Sequence, residues 1–196
     1  ALHRDLPNLI LITSDTTRFD ELGVNGGLVA TPNLDKLAAM GVVFENAHSA
    51  AYGTTPSHAS LMSSLPAARH GVYDNETILD ATRQTLAEQV AAQGYRTAAF
   101  LSTRADWART GFARGFEHVD VPSEIHSERY RNAAEMVDRA LAWLEQLDPD
   151  ARVFVFVQFA DVGSQGQAPP EHFTSLSGLQ PEEMVEFVVE QKNVPF

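Results

Sequence analysis

The sequence predicts an α/β fold: a three-layer sandwich with a mostly parallel central sheet and helices on both faces. Three observations predict it. Short runs of strand length, rich in β-branched, aromatic and small apolar residues, stand at Leu9–Thr13, Arg96–Leu101 and Arg152–Phe159. The segments between them carry helical spacing and helix-ending residues, the alternation that builds parallel sheets. A chain of 196 residues, 44% apolar and 20% charged, also suffices for one buried core without covalent staples.

In chain order, Leu9–Thr13 reads as a strand buried on both faces, because it shows little polar alternation. Thr31 and Pro32 open a helix as N-cap and first helical residue, Leu34, Leu37 and Ala38 form its apolar face, and Gly41 ends it. Val42–Phe44 is expected as a strand. A second helix is expected from Pro56 to Ser64, with Thr55 as its N-cap. Thr85 and Glu88 have capping-box spacing, and the helix they open stops at Gly94. A strand over Arg96–Leu101 leads into a segment, 102–125, read as mostly loop. An amphipathic helix is expected over Ser127–Leu147, with Ala133, Met136, Val137, Ala140, Leu141 and Leu144 on one stripe. The strand Arg152–Phe159 follows, then a loop at 163–170 and an acidic helix at Glu182–Gln191.

Charge and composition remove several classes of function. Acidic residues outnumber basic ones by 26 to 14, a formal charge of −12, which argues against nucleic acid or an anionic membrane as partner. An anionic ligand would therefore need a bound cation to invert the local field. With no cysteine there is no disulfide scaffold, thiolate metal site or cysteine nucleophile. No run approaches the ~20 apolar residues that span a bilayer, so membrane insertion is not expected. Leu9–Ile12 is too short for a signal-peptide core. The first residue is Ala1, as expected of a processed or cut chain.

Ligands of parallel α/β sheets gather beyond the carboxyl ends of the strands. That rule selects residues 14–18, 47–58, 102–104 and Asp161. Asp15, directly after the first strand, is suited to a hard cation or to an Asx turn. Thr54 lies at a helix start, where an alkoxide or bound anion meets free N–H groups and the positive end of the helix dipole. Its hydroxyl becomes a competent nucleophile only if a metal or base lowers its pKa. His58, one turn on, is placed either to donate to an anionic substrate or to face solvent. His70 reads as a turn or supporting histidine, and Asp161 repeats the position of Asp15. The other histidines show no metal-binding spacing, and no glycine-rich phosphate loop or GxSxG elbow is present.

The order of motifs carries more than any one of them. Pro7-Asn8-Leu9-Ile10-Leu11-Ile12 is followed by Asp15-Thr16-Thr17-Arg18, by Thr31-Pro32-Asn33-Leu34-Asp35-Lys36-Leu37-Ala38 and by Gly41-Val42-Val43-Phe44-Glu45-Asn46-Ala47. Thr54-Thr55-Pro56-Ser57-His58-Ala59-Ser60-Leu61-Met62-Ser63 comes next, then Pro66 and His70-Gly71-Val72. This series resembles the N-terminal portion of the sulfatase family, within the alkaline phosphatase superfamily of metal-dependent hydrolases of sulfate, phosphate and phosphonate esters. The resemblance runs from residue 7 to about 120, is densest over 7–75, and fades beyond about 172. It implies one alkaline-phosphatase-like domain over 1–196, itself incomplete. It also implies a divalent cation (calcium, magnesium, manganese or zinc) held by Asp15, with Thr54 as the nucleophile touching that metal and His58 beside it.

The sulfate-cleaving members place cysteine or serine at the Thr54 position, in a C/S-x-P-x-R motif, and oxidise it to an aldehyde. Here Thr54 and His58 stand at the two ends of that motif. Oxidised threonine is a ketone, so the resemblance implies direct attack by a metal-activated Thr54 hydroxyl, with phosphate or phosphonate esters ahead of sulfate esters. Related chains often read Phe-Val-His-x-x-Asp-x-His near the strand at 153–159, where this chain has Gln158, Asp161 and Gly163. The family's second metal-binding cluster lies in a C-terminal half without counterpart here. Two readings follow: a hydrolase of small anionic esters completed by a C-terminal half or a homodimeric partner, or a degenerate, non-catalytic domain acting in binding or assembly.

Overall fold

The computed structural model describes residues 6–27, 29–102, 110–122 and 131–160. They group into two compact units, the first drawn from 1–15 and 48–161, the second from 16–47. The expected loop at 163–170, the helix at Glu182–Gln191, Asp161 and Gly163 all lie outside the described residues.

The first unit is built on a four-stranded parallel sheet of order β1-β4-β2-β3, with β1 Leu9–Ser14, β2 Arg96–Leu101, β3 His118–Asp120 and β4 Val153–Phe159. In register, Leu11 and Ala99 both lie beside Phe156 on the central strand β4. Side chains alternate across a strand, so each face collects its own set. Leu101, Phe154 and Phe156 pack with Ala59 and Met62 of a helix at Thr54–Ser63, and with Ala87 and Val90 of a helix at Leu86–Ala91. Ala98, Phe100, Val153, Val155 and Val157 pack on the opposite face against Met136, Ala140 and Trp143 of a helix at Ala133–Leu144. Helix, sheet and helix make the three layers. The α/β class with a parallel sheet is the observed one.

β1 departs from the expectation of two buried faces. It is the outer strand of the described sheet, and its residues alternate: Leu9 and Leu11 pack inward, whereas Ile10 and Ile12 are 64% and 55% exposed. β3 is a three-residue strand inside the segment read as loop. It exists because β2 offers a ladder partner, from Ala98↔His118 to Phe100↔Asp120.

In the second unit, 3₁₀ turns at Phe19–Glu21 and Gly23–Asn25 precede α1, Pro32–Met40. Proline opens α1 as expected, but the Thr31 hydroxyl accepts from the Gly23 N–H (2.9 Å) and donates to Asp35 Oδ1 (2.9 Å). It ties the preceding turn to the helix in place of capping an α1 N–H. The expected apolar face, Leu34 and Leu37, is exposed among the described residues. Val42–Phe44 forms no strand, since no described strand lies alongside to supply a ladder.

The remaining helices, in chain order, are α2 Thr54–Ser63, α3 Ala67–His70, α4 Leu86–Ala91 and α5 Ala133–Leu144. α4 has the expected capping box: Thr85 Oγ1 accepts from the Glu88 N–H (3.2 Å), and Glu88 Oε2 accepts from the Thr85 N–H (2.7 Å). Gly115 fits against its first turn at φ 88°, and a Cβ there would collide with the backbone of Ala87 and Glu88. α5 is described from Ala133, with Asn132 accepting from the Glu135 N–H (2.9 Å) as N-cap. Its buried stripe is rotated from the expected one. Trp143 turns inward onto Phe100 and His118, while Val137 and Leu141 are exposed.

Candidate active site

The parity of the strands assembles the site. Thr13 follows Leu9 and Leu11 on the inward face of β1, and Asp15 continues that face one step past the strand. The Asp15 N–H still donates to the Phe159 carbonyl (2.9 Å), so the aspartate begins life on the sheet and not in a free loop. Gln158 follows Phe154 and Phe156 on the same face of β4, in register with Thr13. Immediately after Asp15 the chain bends at Thr16, whose φ of 58° is left-handed. A β-branched residue adopts that conformation at a cost of about 1 kcal/mol or more, and such strain collects at functional sites.

α2 lies over this face. It starts at Thr54, two residues earlier than expected, with Gly53 as N-cap. The reason is a cap from elsewhere in the chain: the Thr55 N–H donates to Asn75 Oδ1 (3.0 Å), and the Thr55 hydroxyl donates to the Asn75 carbonyl (3.3 Å). Pro56 is tolerated at the third position because first-turn N–H groups have no partner inside the helix. A Cβ at Gly53 would press on Asn75 Oδ1 at 3.3 Å and Pro56 Cδ at 3.2 Å. Half-buried Thr54 is thus fixed at the positive end of a ten-residue helix.

His58 does not face solvent; it is 3% exposed, with its ring against Phe156. Its Nδ1 lies 2.8 Å from the Thr54 carbonyl, which can only accept, so Nδ1 carries the proton. Nε2 lies 3.2 Å from Thr13 Oγ1 and 4.0 Å from Asp15 Oδ1. With Nδ1 protonated, Nε2 accepts from the Thr13 hydroxyl, and the Asp15 carboxylate lies beside the ring beyond hydrogen-bond distance. Gln158 closes the other side: its Nε2 donates to Asp15 Oδ2 (3.0 Å). Gln158 is fully buried, and its Oε1 has no hydrogen-bond partner among the described residues. An acceptor buried in this way costs about 1–3 kcal/mol.

The structure brings Asp15, Thr54 and His58 together. Thr13, Gln158 and Asn75 join them without having been singled out as site residues. Thr13 was within reach of the period-two pattern, and Gln158 stood out only as a departure from related chains. Nothing local marks Asn75, which acts 20 residues from the helix it caps.

Asp15 suits a hard cation. Its carboxylate only accepts, its side chain is 20% exposed, and one oxygen is steadied by Gln158 while the other faces His58 Nε2. Among the described residues, however, no three histidine, aspartate or glutamate side chains are grouped to hold a metal. Asp15 and Thr54 would be part of a ligand set, not all of it.

His70 forms a second buried imidazole, with different wiring. The Val72 N–H donates to Nδ1 (3.0 Å), so Nε2 carries the proton and donates to Ser60 Oγ (2.9 Å). A ring so committed cannot take a proton from Ser60, which rules out an activated serine pair. Burial lowers the His70 pKa below its ordinary value of about 6.5. The unfolded chain then binds a proton first as pH falls, and the stability that the neutral ring contributes is lost below about pH 6.5. Thermal unfolding from pH 7.5 to 5.5 should show a falling Tm, with a shallower fall in His70→Gln; parallel curves would contradict this wiring.

The fold and this arrangement define a parallel α/β scaffold with a carboxylate and a hydroxyl at the carboxyl end of the sheet. Residues 7–172 match the sulfatase family, and the chain belongs to that family. It is 38% identical over 93 residues to an arylsulfatase of Clostridium perfringens, a match covering 46% of this chain and 19% of that protein. The matched segment thus spans about a fifth of the length of that curated relative. Its fold is similar to a structure solved in complex with its substrate D-glucosamine-2-N,6-O-disulfate (TM-score 0.71, 23% identity, 85% of this chain and 36% of that one). It is also similar to the phosphonate monoester hydrolase of Agrobacterium radiobacter (TM-score 0.63, 24% identity, 79% and 41%).

Proposed function

We propose that the full-length protein is a divalent-cation-dependent hydrolase of small anionic esters, with Asp15 as a cation ligand and Thr54 as the nucleophile. The observation that carries this reading is that Thr54 and Asp15 lie against the same buried imidazole, which donates to the Thr54 carbonyl and stands 4.0 Å from Asp15 Oδ1. Relatives named for sulfate-ester and phosphonate-ester chemistry support the substrate class. Because oxidation of threonine stops at a ketone, phosphate and phosphonate esters are favoured over sulfate esters.

Asp15 and Thr54 would hold part of a divalent cation's ligand set, and the cation would supply Lewis acidity that lowers the hydroxyl pKa and offsets the chain's net negative charge. Thr54 Oγ1 attacks the central phosphorus or sulfur as its proton leaves to solvent. The bond to the leaving oxygen breaks, and the departing alcohol takes up a proton. Water then hydrolyses the Thr54 ester and restores the hydroxyl. The start of α2, held by Asn75, keeps Oγ1 in place and turns its helix dipole toward the negative charge of the ester. His58 does not donate to the substrate in this reading. It sets the spacing between Asp15 and Thr54 and is a positioning residue. Further cation ligands come from the longer remainder of the protein.

The test is a panel of aryl phosphate, phosphonate and sulfate esters, assayed with and without chelator, for wild type and Asp15→Asn. Chelator-sensitive turnover, with Asp15→Asn weakening cation affinity on the order of 100-fold or more, is expected. Turnover indifferent to chelator would overturn the reading. A folded full-length chain that turns over none of the esters would return it to binding or assembly.

A further inference from the structure

We infer that Gln158 is a positioning residue kept for its hydrogen bond to Asp15 and not for the fold. This rests on the proposed role of Asp15 as a cation ligand. Gln158 sits on the central strand β4, flanked in register by Thr13 and Leu101, at a place where every neighbour on its face is apolar or part of the site. A fully buried amide there breaks the pattern of β4, whose preceding residues Val153–Val157 are all apolar and buried. Its Oε1 has no hydrogen-bond partner among the described residues. An apolar side chain of similar length would fill the same space and remove the unpartnered Oε1, so packing alone does not account for glutamine.

What glutamine does supply is a neutral N–H donor to Asp15 Oδ2 at 3.0 Å. The bond fixes the carboxylate plane about its Cβ–Cγ axis and so determines where Oδ1 stands. It does this without adding charge, which a lysine would bring and which would repel the cation. Groups that orient a metal ligand from behind are worth about 10–100-fold in metal affinity when removed. The other oxygen, Oδ1, lies 4.0 Å from His58 Nε2.

The experiment compares Gln158→Met, Gln158→His and Asp15→Asn in the full-length protein, by calorimetric titration with Mn²⁺ and by thermal unfolding. Gln158→Met should bind Mn²⁺ about 10–100-fold more weakly with a Tm no lower than wild type. Gln158→His, which keeps an N–H donor at similar reach, should restore affinity to within about threefold of wild type. Wild-type affinity in Gln158→Met, or equal loss in the Met and His variants, would overturn the inference. So would a clearly lowered Tm in Gln158→Met, which would assign the residue to the fold. Unchanged Mn²⁺ binding in Asp15→Asn would instead sink the proposed role of Asp15, so the two failures are distinguishable.

Discussion

Thr54→Ala should lower kcat by about four orders of magnitude or more, with the protein folded as before. The structure explains why the two effects separate. The start of α2 is held by Thr55 through Asn75, and its first intrahelical bond, from the Ser57 N–H to the Gly53 carbonyl (3.1 Å), does not involve the Thr54 side chain. Removing the hydroxyl therefore leaves the helix in place and takes away only the attacking oxygen. Thr54→Ser keeps that oxygen and should retain activity within about tenfold. Steady-state kinetics on an aryl phosphate, beside a circular dichroism melt, checks both variants. Alanine activity within tenfold of wild type would exclude Thr54 as nucleophile.

Phe156→Ala should be the most damaging change to stability. Phe156 is buried at the centre of the sheet, between Leu11 and Ala99 in register, with Phe116 stacked at 6.3 Å between ring centroids. Truncating a buried phenylalanine costs about 3–5 kcal/mol, a large part of the ~5–15 kcal/mol that keeps a domain folded. A drop in Tm on the order of 10 °C is expected for a unit of this size. Phe156 also supports the edge of the His58 ring at 5.9 Å. The variant should thus lose activity below its Tm as the His58 ring, bonded to the Thr54 carbonyl and to Thr13, loosens. A loss of less than about 1 kcal/mol in urea unfolding would show that this core reseals around the cavity.

What was legible in the sequence was mostly what is decided locally. Thr85 and Glu88 sit in one turn and cap each other, so α4 could be read from four residues. β2 matched its expected bounds, Arg96–Leu101. Elements decided by distant partners were misread. α2 begins at Thr54 because Asn75 reaches it from another loop, β3 exists only against β2, and the buried stripe of α5 is set by where Trp143 finds Phe100. Ile10 and Ile12 are apolar yet exposed, because burial of a strand depends on what lies beside and above it.

The same division holds in the site. Asp15 could be found from the rule that ligands gather beyond strand ends, and Thr54 from its place at a helix start. That His58 is buried and turned inward follows from the packing of α2 on β4, which no spacing within Thr54–His58 encodes. Gln158 meets Asp15 across 143 residues, through strand register alone.

Peptide mass mapping of the full-length protein, quenched in acid during a single turnover of an aryl phosphate monoester, tests the central claim most directly. The account predicts one phosphoryl group on Thr54, formed only with the divalent cation present and missing from Asp15→Asn. Turnover with the phosphoryl group on another residue, or with Thr54 unmodified throughout, would contradict it.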